Sequence, residues 1–403
     1  MNKRNILVLL LCIIVIQLFS QTTNSKQPYL LVVSLDAFRW DYQQIYQLKN
    51  FDSIAQKGVK AKSFQPCFPS VTFPNHYSMA TGLYPDHHGI VQNKFYDKDM
   101  DLTYRIGDRK MVMDGRFYGG EPIWATAEKQ GIKTASFYWV GSEAKINGIQ
   151  PSYWKIYENK IPFSQRIDTL MYWFQLPEAE RPHLVMFYLP EPDETTHDFG
   201  PISNESKIMV TYLDSLMGVL YQKIKTLSIG DEVNIMIVSD HGMAQLDSKK
   251  NIIIDDYIKP EWIKGMYGHN PTFNISATSV FVDSIYNALK NVPHLSVWKA
   301  GELPERLHYG TNKRIGDMVI LADIGWSISR KKDKPPYGGT HGFDNKEMDM
   351  HGIFYAVGPA FKTNYQMNTI ENIQLYNIMT KVLKIKPAKN DANPKKIMKI
   401  FKQ

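Results

Sequence analysis

The chain has 403 residues, 43% of them hydrophobic and 22% charged, which supports a full globular core and excludes a disordered or multi-span membrane protein. Its formal charge of +7 sits at the ends, with Lys3 and Arg4 at the start and eight lysines against one aspartate from Lys381 onward. The body between is close to neutral, which argues against a nucleic-acid-binding surface over it.

Residues 1–20 read as a secretory signal: Lys3 and Arg4 precede an apolar run from Ile6 to Phe19, and the small Ser20 precedes a polar stretch. The run is shorter than the about 20 residues a membrane span needs, and an uncleaved anchor is the alternative. The expectation is an exported chain, periplasmic or extracellular, with no transmembrane domain once mature. Without the signal, Cys67 is the sole cysteine, so no internal disulfide can form.

Three short β-branched-rich runs, Leu30 to Leu35, Leu184 to Leu189 and Val233 to Ser239, each end at or just before acidic or histidine residues. Continuous apolarity predicts strands buried on both faces of a parallel sheet. Helical patterns lie between them, at Pro122 to Gln130 and Lys207 to Leu227. The alternation predicts an α/β, doubly wound, mostly parallel central sheet flanked by helices. Open sheets of this kind place their sites at the carboxyl ends of strands.

Asp36 follows the first run, and Asp193 and His197, four apart after Pro192, follow the second. One helical turn can put both of those on one metal. Asp240 and His241 follow the third run. A stretch of about 257–335, with Pro260, Pro271, Pro293 and Pro304 and an apolar strand at Met318 to Leu321, reads as an insertion before His341, which stands between Gly339 and Gly342. The expected catalytic domain is residues 28–390, followed by a basic C-terminal tail at 391–403; the chain after Pro387 is expected to be loosely ordered. The tail is either a solvated end or a weak contact for an anionic membrane surface.

These positions supply three carboxylates and three imidazoles, enough for two three-ligand sites, a mix that favours catalytic zinc over calcium or magnesium. Thr72, followed by Phe73 and Pro74, opens a helical run ending near Gly82. It reads either as a helix cap or as a nucleophile beside the metals. The remaining histidines, His76, His87, His88, His183, His269, His294, His308 and His351, read as ordinary surface or core groups.

The segments TFPNHYSMATGLYPDHHGI and EPDETTHDFGP resemble the nucleotide pyrophosphatase/phosphodiesterase family of the alkaline phosphatase superfamily, a likeness running from Tyr29 to Asn390. The resemblance implies that Asp193, His197 and His341 hold one zinc and Asp36, Asp240 and His241 the other, next to Thr72. It implies that Asn93 and the Phe73 amide contact a non-bridging phosphate oxygen. It also implies a base slot in which Phe73 and Tyr157 stack on the nucleobase with Tyr188 nearby. In WVGSEAKING, Val140 and Glu143 replace the proline and aspartate of the family's WPGSD stretch.

The expected reaction is attack by the Thr72 oxygen on a phosphodiester or pyrophosphate, giving a phosphothreonyl diester that water hydrolyses to a nucleoside 5′-monophosphate. Two zinc ions per chain and a small-molecule nucleotide or other phosphodiester are the expected cofactor and partner, with no specific nucleic-acid binding. The rivals are a choline-phosphate or lysophospholipid phosphodiesterase on the same scaffold, and a non-catalytic secreted metal-binding protein. A sulfatase is disfavoured because Val71 stands where the C-x-P-S-R motif needs arginine.

Overall fold

The computed structural model describes residues 26–402, so the expected signal lies outside the described residues. The three predicted strands are present at Tyr29–Leu35, Leu184–Leu189 and Val233–Val238. They are central in an eight-stranded sheet whose order is 365–367, 59–61, 354–357, 233–238, 29–35, 184–189, 134–137, 153–155. Five neighbouring strands, from 233–238 to 153–155, run parallel. Phe354–Val357 is antiparallel to both of its partners, so the sheet is mixed.

Both faces of the sheet are covered, which explains the unbroken apolar runs. Leu30 and Val32 point into a core with Tyr77 and Met79 of helix Thr72–Thr81 and Ile378 of helix Gln374–Val382. Leu31, Val33 and Leu35 point the other way. They meet Phe51 of helix Lys49–Lys57, Leu170 of helix Phe163–Gln175 and Leu213 of helix Asn204–Lys225. That last helix starts earlier than its apolar pattern suggests, because the Ser203 hydroxyl accepts from the Ser206 amide and caps it.

Within 257–335 the chain builds a four-stranded antiparallel sheet from Ile263–His269, Thr272–Ala277, Met318–Ala322 and Leu295–Lys299, in that spatial order. Met318 and Ile320 pack on Ile285 and Leu289 of helix Val282–Leu289, while Val319 and Leu321 join the main core. Partly buried Arg314 clamps this unit to the body, pairing with Asp97 at 2.6 Å and donating to the carbonyls of Gly89 and Phe117.

The chain end differs from expectation. Ile397 and Ile400 are buried, the Phe401 ring stacks on Phe361, and Lys396 pairs with Glu371 at 2.6 Å. Apolar residues spaced between the lysines give this segment a face to bury, so it docks rather than trailing in solvent. Among the described residues no helix is long and apolar enough to cross a membrane.

Candidate active site

Strand register sets the site. Leu35 pairs with Leu189 and Ser34 with Val238, so the three central strands end level with one another. Asp36, Asp193 and Asp240 therefore emerge on one edge of the sheet. His197 follows Asp193 by one turn of helix Asp193–Phe199. His341 arrives from far along the chain through a two-residue ladder, in which Gly339–Thr340 pairs antiparallel with Ala244–Gln245 just after His241. Its ring stacks on His241 at 3.7 Å between centroids, 12° from parallel.

The six expected ligands fall into two groups, Asp193 with His197 and His341, and Asp36 with Asp240 and His241, each with donor atoms close enough to share one cation. In the first, Asp193 Oδ1 is 3.4 Å from His197 Nε2 and 3.6 Å from His341 Nε2. In the second, His241 Nε2 is 3.3 Å from Asp36 Oδ1 and 3.1 Å from Asp240 Oδ2. Each histidine turns its Nδ1 to a backbone carbonyl: Gly339 for His197 at 2.9 Å, Gly242 for His241 at 2.9 Å, and Ser70 for His341 at 3.0 Å. With the proton committed there, each Nε2 presents a lone pair to the site, the arrangement that orients metal-binding imidazoles.

The donor set fits a divalent metal on a second count. Asp36 Oδ1, Asp193 Oδ1 and Asp240 Oδ2 are buried and find no hydrogen-bond donor among the described residues. Buried carboxylate oxygens without partners are costly unless a cation compensates. The titration behaviour agrees: burial, then the charges of Asp240 and Asp193, hold the Asp36 carboxyl well above its ordinary range. Burial also raises Asp193, against the pull of His197 and His241. Burial and the neighbouring His241 and His197 keep His341 well below the ordinary histidine range, so it is neutral.

Thr72 is the first residue of its helix, after Val71 at the N-cap. Its Oγ1 lies 3.2 Å from His241 Nε2. The hydroxyl therefore faces the two donor groups from the start of the helix. The Phe73 amide donates to Asn93 Oδ1 at 2.9 Å, which orients the Asn93 side chain and leaves its Nδ2 hydrogens to donate elsewhere.

A cavity of ≈ 230 Å³ opens beside Thr72 and is lined by Asp36, Phe73, Tyr157 and Tyr188. Tyr188 has a second role that the strand pattern did not reveal, because its hydroxyl donates to Asp36 Oδ2 at 2.6 Å. Two histidines read as ordinary core groups also lie next to the site. His76 Nδ1 is 3.2 Å from Asp240 Oδ2, and its Nε2 is 2.8 Å from the Ser34 hydroxyl. Half-buried His269 packs edge-on against His341 at 5.3 Å, with burial pushing it down to about 4. Asp240 and His76 sit on different elements, and His269 reaches the site from the antiparallel unit, so spacing alone could not group them.

An edge-of-sheet site with two such donor groups and a threonine against one of them defines a hydrolase-like centre on an alkaline-phosphatase-like fold. Residues 30–344 match the family model for type I phosphodiesterase / nucleotide pyrophosphatase, and the chain belongs to that family. It is 36% identical to a venom phosphodiesterase of Macrovipera lebetinus over 377 residues, which is 91% of this chain and 44% of that one. It is 35% identical to human ectonucleotide pyrophosphatase/phosphodiesterase family member 1 over 382 residues, 91% of this chain and 41% of that one. The chain thus spans less than half the length of the curated relatives it matches.

Among solved structures, human ectonucleotide pyrophosphatase/phosphodiesterase 5 superposes with a TM-score of 0.90 at 31% identity, covering 94% of this chain and 100% of that chain. An inactive threonine-to-alanine form of the murine protein, in complex with AMP, superposes at 0.89 with 31% identity, covering 94% of this chain and 100% of that one.

Proposed function

We propose that this chain is a zinc-dependent phosphodiesterase and nucleotide pyrophosphatase that releases nucleoside 5′-monophosphates through a phosphothreonyl intermediate. The observation that supports it most is the placement of the Thr72 hydroxyl against His241, beside buried carboxylate oxygens that find no hydrogen-bond donor among the described residues. In the first step the bond from Thr72 Oγ1 to phosphorus forms as the bond to the leaving oxygen breaks. Water then cleaves the threonyl ester and the hydroxyl proton is restored.

Asp193, His197 and His341 would hold one ion, and Asp36, Asp240 and His241 the other. What two such ions add when bound is positive charge at the attacking and leaving oxygens. Asn93 Nδ2, its side chain oriented by the Phe73 amide, would donate to a non-bridging phosphoryl oxygen. Phe73 and Tyr157 supply aromatic faces for a nucleobase, and the murine neighbour's complex with AMP supports that reading. Two relatives are venom and ectonucleotide enzymes by name, in keeping with a proposed periplasmic or extracellular location.

A diester carries one negative charge fewer than a monoester, and the bidentate arginine that usually grips a monoester dianion is missing from 60–90 around Thr72. The arginine that does line the cavity, Arg109, is already paired with Glu143. Catalytic efficiency on nitrophenyl thymidine monophosphate should exceed that on nitrophenyl phosphate and nitrophenyl phosphorylcholine at equal pH and zinc. A better rate on the monoester would overturn the diester reading, and one on phosphorylcholine would replace the nucleotide with a lipid head group.

A further inference from the structure

One wall of the cavity beside Thr72 is carried by a surface loop, and a buried cation ties that loop to the body. Residues 156–162 join strand Tyr153–Lys155 to helix Phe163–Gln175, and Glu158, Asn159 and Lys160 are exposed. Half-buried Tyr157 lies on this loop and lines the cavity together with Tyr138 and Tyr188. Among the described residues, the side chains that hydrogen-bond residues 156–161 from outside the loop are those of Arg166 and Tyr138.

Arg166 is the fourth residue of the helix and is fully buried. Its Nε donates to the Ile161 carbonyl at 2.9 Å and its Nη2 to the Asn159 carbonyl at 2.9 Å. Its guanidinium carbon lies 5.1 Å from the centroid of the Tyr138 ring. Tyr138 in turn donates its hydroxyl to the Glu158 carbonyl at 3.1 Å, and its ring meets that of Tyr157 at 4.9 Å between centroids. Tyr138 also holds φ at 74°, a left-handed conformation that a bulky residue keeps only where its surroundings fix it.

The cation is held at a cost. Among the described residues Arg166 pairs with no carboxylate, and its Nη1 is buried without an acceptor. An apolar side chain of similar length would fill the same space without that penalty. What the guanidinium adds is geometric, since one planar fork fixes two carbonyls of a surface loop while its face supports the Tyr138 ring.

From this geometry we infer that Arg166 is a positioning residue that fixes the Tyr157 face of the nucleobase slot. The inference rests on the nucleotide reading proposed above. A ring already in place when the substrate arrives spares the binding step the cost of ordering it. Stacking uses the ring's face whatever the base, so Arg166 governs how tightly a nucleoside is held and leaves bond cleavage at Thr72 alone.

The test is a double-mutant cycle on the zinc-loaded protein, Arg166→Met with Tyr157→Ala. It is read on nitrophenyl thymidine monophosphate and on methyl 4-nitrophenyl phosphate, which has no base to stack. Arg166→Met should raise KM for the nucleotide ester by about fivefold or more, within what one stacked base contributes, with kcat unchanged. The methyl ester should keep its kcat/KM, which also reports that the variant is folded and metal-loaded. In the Tyr157→Ala background the same substitution should change nothing further. Arg166→Lys, which keeps the charge but cannot fork to both carbonyls, should fall between.

An unchanged KM in Arg166→Met, or losses from the two substitutions that simply add, overturn the inference and leave the nucleotide reading standing. An equal loss on both esters makes Arg166 an ordinary core residue and overturns it as well. A nucleotide ester turned over no better than the methyl ester by the unaltered protein overturns the nucleotide reading itself. If Arg166→Met does not fold, Arg166→Lys taken through the same cycle decides.

Discussion

Tyr188→Phe removes one oxygen and nothing else, at a position where that oxygen lies 2.6 Å from Asp36 Oδ2. The carboxylate it supports is almost fully buried, and its other oxygen faces His241 at 3.3 Å. Burial and the Asp36 charge raise the phenol well above its ordinary value, so it stays a donor throughout any working pH. Hydrogen bonds to charged groups contribute about 1.5 to 3 kcal/mol, and supporting bonds of this kind typically govern about 10- to 100-fold in metal affinity. Zinc affinity of the Asp36, Asp240 and His241 group should fall by that factor, with the Asp193 group on the same molecule as the internal reference. Because this bond is one of the influences holding the Asp36 carboxyl down, its loss should also let a proton compete at higher pH. Competition with a zinc-binding dye, run as a titration at several pH values, separates the two sites by affinity. Unchanged affinity and pH dependence in the variant would refute the assignment of Asp36 as a ligand supported by Tyr188.

Thr72→Ala should lower turnover by orders of magnitude while nucleotide binding, followed by calorimetry, survives; Thr72→Ser should keep part of the rate. A fully active alanine variant would remove the nucleophile. Exhaustive chelation should abolish activity and zinc should restore it best, with elemental analysis confirming removal; activity in verified metal-free protein would sink the mechanism. Phe73→Ala and Tyr157→Ala should each weaken nucleotide substrates by about 1 to 3 kcal/mol and a minimal aryl diester much less, and equal losses on both would mark the rings as structural. Buried His88 belongs to neither donor group nor the cavity wall, and burial pushes it down to about 3 from an unfolded value of 6.5. The folded state therefore binds fewer protons than the unfolded one between those values, so stability is full above about pH 6.5 and is lost as pH falls toward 3. Urea unfolding from pH 7 to 4 should show that slope, and His88→Gln should flatten it.

The strands and the residues at their ends were readable because burial on both faces leaves a plain mark, an apolar run that stops at a polar strand end. Asp36, Asp193 with His197, and Asp240 with His241 all follow that rule. Thr72 was readable as a helix start, but not whether its hydroxyl capped the helix, since both roles use the same residue in the same place. The path of His341 was hidden, because a ladder of two residues has no periodicity to detect. Tyr188 was noticed as an aromatic near the site, but the direction of its hydroxyl depends on strand register between segments more than 150 residues apart. The docking of the chain end was masked by its lysines, which dominate the composition while Ile397 and Ile400 do the packing.

Part of the cavity wall comes from stretches of chain that carry no candidate metal donor. Arg109, Val140, Glu143 and Tyr157 lie on such segments, whereas Asp36 and Asp193 belong both to the wall and to the donor groups. Mutation can therefore rewrite what the pocket accepts without disturbing what cuts. Val140 and Glu143, where this chain departs from the WPGSD pattern, both lie on such a segment. A lineage with this layout can explore new leaving groups and bases one loop at a time, keeping an intact hydrolytic centre at every step.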